Sequence, residues 1–243
     1  MNASNKFKKK FIALIEKLTF WICSIISCLP LVAGILIPMV AMIPLAYISW
    51  NFFSFWTGGY WFDIWISVSP YYPIRFLFVI IIEISIFIGG SLLFLTGLYH
   101  LVKGKKSEQN IVQTGSYKLI RHPQNLGILL MALPFALYIP GFNDLGIRIG
   151  EILSWTLFGL ILIIYSDIEE YKLSKKFPEE FSNYQANTGF FFPKLNFRKN
   201  MKDKPICSHK RYLFLLLGYV LLVFTIFILT NFLMTLGIFI IYL

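Results

Sequence analysis

Charge is scarce in this chain of 243 residues: only 14% are Asp, Glu, Lys or Arg, against 57% hydrophobic residues and a mean hydropathy of +0.70. A soluble domain usually carries about 25% charged residues. Too little polar surface remains to cover a water-exposed core, which excludes an ordinary soluble fold. Helices in a bilayer remove that demand, because their outer faces are apolar as well. Cysteine is equally sparse. Cys23, Cys28 and Cys207 form neither a metal-ligand spacing nor a disulfide framework. Histidine numbers three, and no Gly-rich nucleotide loop or clustered His/Cys/Asp set accompanies it. These gaps speak against metal catalysis, phosphotransfer and hydride transfer.

Acidic residues are the scarcer charge, 12 against 22 Lys and Arg, leaving a formal net charge of +10. In a soluble protein that excess would raise the question of nucleic acid. Here Lys6, Lys8, Lys9, Lys10, Lys103, Lys105 and Lys106 sit at the ends of apolar runs, where positive residues set membrane orientation. No zinc-finger spacing or aromatic-basic RNA platform accompanies them, so no nucleic-acid partner is expected. The opening apolar stretch is far longer than a signal-peptide core and lacks a small-residue cleavage site, so a retained segment is expected.

What is abundant is apolar sequence in long runs. Residues 11–53 amount to about 60 Å of helix, roughly twice a hydrocarbon core, broken by Pro30, Pro38 and Pro44. Residues 54–73, with Trp56, Tyr60, Trp61, Trp65, Tyr71 and Tyr72, read as an interfacial aromatic belt. Further spans are expected over 74–101, 125–140, 149–166 and 212–243. The basic amino terminus, residues 103–123 and residues 167–211 are assigned to the cytoplasmic side. Parity then favours one crossing within 11–53, with the remainder interfacial. The expected fold is an all-α, multi-pass helical bundle of about five spans forming a single domain over 1–243, with a cytoplasmic cofactor-binding region. No convincing internal repeat points to a transporter.

Polar chemistry gathers in two clusters on that side. One is Gly115-Ser116-Tyr117 with Arg121-His122-Pro123, Asn125 and Gly127; the other is Asp167 with Glu169-Glu170, continuing through Tyr171, Phe177 and Tyr184 to Pro193. They flank the segments 125–140 and 149–166, so an antiparallel hairpin would bring them to one end. Together they have the groups a small zwitterionic cofactor requires. Arg121 and His122 offer donors, Glu169 and Glu170 acceptors, and Tyr117, Tyr171 and Tyr184 aromatic faces for a cation. The plainer reading gives each a structural role: Arg121 as a positive-side anchor, His122 as a loop residue, the glutamates as a polar helix end. Glu83 lies inside an apolar span, where an ionisable side chain is a functional candidate. Its plain reading is a hydrogen bond to a neighbouring helix.

The ordered string Gly115, Arg121-His122-Pro123, Gly127, Glu169-Glu170, Phe177, Tyr184 and Pro193 resembles the isoprenylcysteine carboxyl methyltransferase and phospholipid methyltransferase superfamily, over about residues 90–195. The span 212–243 is additional to that core. The resemblance implies methyl transfer from S-adenosylmethionine to a lipid or isoprenoid-like acceptor admitted from the membrane. It places Tyr117, His122, Pro123, Gly127, Glu169, Glu170 and Tyr184 at the cofactor, and makes Arg121, Glu169 and Glu170 the catalytic candidates. Glu83, Asn125 and Phe190 are the substrate candidates. Three departures matter: Asn125 stands where relatives have an aromatic, Phe177 precedes Pro178 rather than Gly, and Phe190 falls where carboxyl methyltransferases carry Arg. The last disfavours a prenylcysteine carboxylate, which stays the alternative acceptor. The competing class is a non-catalytic structural or lipid-binding protein on the same scaffold.

Overall fold

In a computed structural model of the protein, Lys17, Thr19 and residues 33–56, 65–66, 73–137, 147–194 and 209–235 are described. The amino-terminal lysines, most of the aromatic belt, the three cysteines, the turn at 138–146 and the basic stretch 195–208 lie outside the described residues. Two compact units divide the chain, Met1–Pro38 and Met39–Leu243.

Helix α1 covers Ile43–Trp56, α2 Pro73–Lys106, α3 Pro123–Leu137, α4 Ile149–Lys176, α5 Pro178–Asn187 and α6 His209–Thr235. A 3₁₀ turn at Gly115–Lys118 lies between α2 and α3. Two-residue strands, β1 (Trp65–Ile66) and β2 (Ile147–Arg148), pair antiparallel with Trp65 opposite Arg148. Helix dominates as expected; the short ladder is an addition to the all-α expectation. Proline marks helix starts at Pro73, Pro123 and Pro178, where its missing N–H would have no helical partner anyway.

Among the described residues, four helical stretches are long and apolar enough to cross a membrane: Ala33–Phe52, Ile80–Lys106, Ile149–Lys176 and Lys210–Phe232. They mark the chain as an integral membrane protein. Large apolar side chains stand exposed along them, among them Phe78, Ile81 and Leu92 on α2 and Phe214, Leu217 and Leu221 on α6, a surface suited to hydrocarbon rather than water. The expected fifth span is the exception. Helix α3 has 15 residues, about 22 Å, shorter than a hydrocarbon core of about 30 Å.

Helix α3 lies along α2 on a seam of glycines. Gly90, Gly97 and Gly104 recur every seven residues, which places them on one face of α2. A Cβ added at Gly90 would lie 2.9 Å from the Gly127 carbonyl oxygen and from the Met131 nitrogen; one at Gly127 would lie 2.7 Å from the Phe94 nitrogen. Backbone meets backbone, the usual means by which membrane helices pack closely without a hydrophobic driving force between them. Gly97 meets the side chains of Pro123 and Gln124, 3.2 and 3.0 Å from where a Cβ would stand, so the first turn of α3 is fixed in height against α2; Gly104, further along the row, meets Val112 instead. A second core joins α1, α4 and α6 through Ala46, Trp50, Ile149, Leu153, Tyr219, Val223 and Phe227. The Trp50 and Phe227 rings meet edge-on at 5.4 Å, and the Ser49 and Tyr219 hydroxyls share a 3.0 Å hydrogen bond.

The seam gives a test on neighbouring positions. Gly90→Ala is expected to lower stability by about 1–3 kcal/mol, the usual result of overpacking. Gly89→Ala, where an added Cβ meets nothing within 4 Å, is expected to be neutral or mildly stabilising because alanine favours helix. Thermal unfolding of the two detergent-solubilised variants, side by side, checks this; equal effects would place the helix contact elsewhere.

Candidate functional site

The site is assembled where α3 begins and α4 ends. Gly115 opens the 3₁₀ turn with φ of 61°, a left-handed conformation that glycine adopts without penalty. A Cβ there would also fall 2.0 Å from His100 Nε2, so glycine is required twice over. The turn carries the chain to Ile120, which forms an isolated parallel bridge with Gly189. Around it the Gly189 N–H donates to Leu119 O at 3.1 Å, Arg121 N–H to Gly189 O at 2.8 Å and His122 N–H to Phe190 O at 3.4 Å. Two stretches about 70 residues apart in the sequence are thus stitched backbone to backbone. Helix α5 supports the seam: Phe181 and Tyr184 pack with Ile111, and the Tyr184 hydroxyl donates to Tyr117 O at 2.8 Å.

On this frame sits a buried ionic cluster. Glu170, 1% exposed, accepts at Oε1 from Arg121 Nε at 2.6 Å, and His122 Nε2 lies 3.0 Å from the same oxygen. The other imidazole nitrogen, Nδ1, is 3.5 Å from Glu169 Oε2. A neutral imidazole has one N–H; only the imidazolium can donate to both carboxylates. Burial pulls the His122 pKa down, but hydrogen bonds to Glu169 and Glu170 and the charges of both carboxylates outweigh it and lift the group above its ordinary value. Burial, with the nearby Glu169 charge, pushes the Tyr117 phenol up to about 12. Burial likewise raises Tyr184, so both phenols stay protonated and Tyr184 remains a donor.

Arg121 has little left to offer a ligand from the atoms that face the protein. Beyond Glu170, its NH1 donates to Thr188 O at 2.6 Å and to Gln185 O at 3.4 Å. The guanidinium therefore clamps the end of α5 to the 119–122 segment. The unspent capacity lies with the acids: Glu170 Oε2 is buried and has no hydrogen-bond partner. A buried carboxylate oxygen left without a donor is costly, and a cationic ligand would relieve it.

The structure therefore brings Tyr117, Arg121, His122, Pro123, Glu169, Glu170, Tyr184 and Phe190 together and sets three expected site residues apart. Gly127 does permit close approach, but to α2 rather than to a cofactor. Asn125 donates to Ser166 Oγ at 2.8 Å, and that hydroxyl donates in turn to Leu162 O; it ties α3 to α4 instead of facing a substrate. Glu83 is buried with Oε1 unpartnered. It stands fourteen residues before Gly97, the residue beside Pro123, which is about 21 Å along α2 and out of reach of the cluster. Tyr171 is also turned away, exposed with Lys175 Nζ over its ring at 4.4 Å. Pro123 is fully buried at the first turn of α3.

One member, Arg211 of α6, was not anticipated. Asp167, fully buried, pairs with Arg211 of α6, NH1 to Oδ1 3.1 Å. Phe190 is faced by two arginines: Arg211 Cζ is 4.8 Å and Arg121 Cζ 5.7 Å from its ring centroid, with the His122 ring at 5.0 Å. Among the described residues no group of three or more His, Cys, Asp and Glu is placed to hold a metal ion. No family model matches the chain, and no curated protein or solved structure matches it.

The raised His122 pKa has a definite pH signature. Its stabilising contribution is fully present below the unfolded-state value of about 6.5 and is lost as pH rises through the higher folded-state value. The gap in thermal stability between the wild type and His122→Gln is expected to be widest near pH 6 and to narrow towards pH 9. Parallel melting curves across that range provide the check; a gap that widens with pH would mean that the imidazole is neutral in the fold.

Proposed function

We propose that the protein is a membrane methyltransferase that binds S-adenosylmethionine at the His122–Glu170 cluster and methylates a lipid-like acceptor. One observation carries the reading: Glu170 Oε2 is buried and without a hydrogen-bond partner beside an otherwise saturated ionic cluster. It is supported by the ordered motif that resembles the methyltransferase superfamily.

The residues present fit the cofactor in charge. Glu170 Oε2 would accept from its ammonium group, and the carboxylates of Glu169 and Glu170 provide a negative field for a cation. When bound, S-adenosylmethionine supplies an already activated sulfonium methyl. The protein's work is therefore alignment and electrostatics rather than activation. Arg121 and His122 both hold Glu170 Oε1, which fixes the carboxylate and leaves Oε2 for the ligand. The acceptor reaches this end through the apolar surfaces of α4 and α6 without leaving lipid. The end faces the cytoplasm in this reading, because Lys103, Lys105 and Lys106 on α2, Lys175 and Lys176 on α4, and Lys210 and Arg211 on α6 all lie at it.

A second reading draws on the saturation of the donors. Arg121 and both nitrogens of His122 are engaged within the protein, as they would be in a non-catalytic lipid-binding scaffold held together by a buried ionic knot. Ligand binding separates the two. Titration calorimetry of the detergent-solubilised wild type with S-adenosylmethionine is expected to show binding, weakened about tenfold or more by Glu170→Gln. That loss matches removal of a charge-assisted hydrogen bond of about 1.5–3 kcal/mol. Glu170→Gln is the informative variant: Glu170→Ala strands Arg121 and is expected to cost about 3–5 kcal/mol of stability. Incubation with labelled donor and head-group-varied lipids then tests turnover. Binding without transfer to any lipid would favour the scaffold, and absence of binding would overturn the cofactor assignment.

A further inference from the structure

The ionic cluster contains three carboxylates, Asp167, Glu169 and Glu170, and three cations, Arg121, His122 and Arg211. Asp167 and Glu170 are both essentially unexposed and stand three residues apart on α4. That spacing places them on adjacent turns of one face, where like charges repel. Glu170 has two cations. Asp167 pairs with Arg211, which comes from α6, a helix outside the stretch of about 90–195 that carries the motif. The Arg211 side chain is 36% exposed while its partner is 0% exposed, so the cation reaches in from the edge of the bundle to a carboxylate entirely within it. On the way its guanidinium lies over Phe190, whose ring also meets Arg121, His122 and Phe191.

We infer that Arg211 is a positioning residue of the site: it balances the Asp167 carboxylate and braces Phe190, so that His122 stays committed to Glu169 and Glu170 instead of being drawn towards Asp167. To name the cluster a site rests on the methyl-transfer reading; the charge coupling does not. The groups facing Asp167 are Arg211 and the Tyr212 hydroxyl from α6, Glu170 on its own helix, and His122 from the start of α3. Among the described cations beside Asp167, Arg211 and His122 lower its pKa, and with Arg211 removed His122 is the one that remains, Arg121 being committed to Glu170. The cluster then has two outlets: Asp167 binds a proton, or His122 holds its own more tightly. Either way the folded state carries extra proton binding, and its stability falls more steeply as pH rises. The sixth helix is thereby part of the site's electrostatics.

The experiment is a charge cycle read as thermal stability from pH 6 to pH 8.5, with no cofactor or substrate added. Arg211→Gln is expected to melt below the wild type by about 5 °C or more at pH 8.5 and by clearly less at pH 6. Asp167→Asn together with Arg211→Gln is expected to restore the wild-type slope, because no buried charge is left to compensate. Arg211→Lys keeps the charge and is expected to keep the slope. If Arg211→Gln lowers stability equally at every pH, or if Asp167→Asn fails to restore the slope, Arg211 acts by packing alone and the inference is overturned. Should Arg211→Gln prove too unstable to purify, the double variant decides: a folded double variant with the wild-type slope supports the coupling, and one as unstable as the single variant overturns it. Calorimetry with S-adenosylmethionine on the wild type keeps the two readings apart, since failure to bind would remove the cofactor assignment and leave the charge cycle unaffected.

Discussion

Burying the Glu170 carboxylate is the constraint on which the polar end of this protein depends. Removing an ionised carboxylate from water costs several kcal/mol even after relaxation. Attraction to a partner repays that only with short contacts and correct geometry. Arg121 Nε at 2.6 Å and His122 Nε2 at 3.0 Å meet the requirement, but neither side chain could do so from an unrestrained loop. The parallel bridge at Ile120 and Gly189 restrains them. Thr188 O receives the Arg121 guanidinium, and Tyr184 donates to the turn that precedes it. The short helix α5 exists in this sense to return the chain to the start of α3, so that the buried charge is enclosed from both sides.

The glycine seam makes this arrangement rigid along the membrane normal. Helix α3 has little length to spare, and its register on α2 is set by backbone-to-backbone approach at Gly90 and Gly127. A sliding displacement of even one residue would bring side chains where no Cβ fits. Pro123 is thereby held beside Gly97, and His122, the residue before it, is held at the height of Glu170. The packing of two apolar helices and the position of a titratable side chain are consequences of the same contact. It also explains why Asn125 and Gly127, adjacent to the motif, serve α4 and α2 instead of a ligand: the first turns of α3 are occupied in fixing its place.

Much of the architecture is legible in the sequence because hydropathy is a long-range signal in membrane proteins. Residues 74–101, 149–166 and 212–243 read as spans from apolar length alone, and their counterparts appear as α2, α4 and α6. That hairpin logic would bring 115–127 and 167–193 to one end was also readable, since a short turn between two apolar segments leaves few alternatives. Contacts that depend on the angular position of single residues were not. Gly90, Gly97 and Gly104 carry a seven-residue period that could have announced the seam, but glycines amid Leu and Phe do not register in a hydropathy reading. Glu83 was a reasonable site candidate from its charge alone; only its distance along α2 removes it. Arg211 was hidden by its own company, because a lone arginine among Lys202, Lys204 and Lys210 reads as a positive-side anchor. The parallel bridge has no local signal at all, since it pairs segments separated by three helices.

Phe190 shows how a missing charge in sequence can be supplied in space. Read by position alone, an aromatic at 190 leaves this end one positive charge short of the pattern that the motif resembles. In the structure the ring lies between Arg121 and Arg211. A guanidinium stacks well on an aromatic face because it is planar and weakly hydrated, so Phe190 works as a plate on which two cations are held at fixed height despite their mutual repulsion. Arg121 is largely spent on Glu170 and the carbonyls of Thr188 and Gln185. Arg211 is engaged by Asp167 yet partly open to the surroundings. The positive potential of this end is therefore retained, but it is carried by a helix the motif does not contain, and it is balanced by Asp167. The absence of Arg at position 190 consequently says less about the charge of this end than the sequence alone implies. How much of that positive charge is open to the surroundings depends on how firmly Asp167 holds Arg211, a property of the contact between α4 and α6.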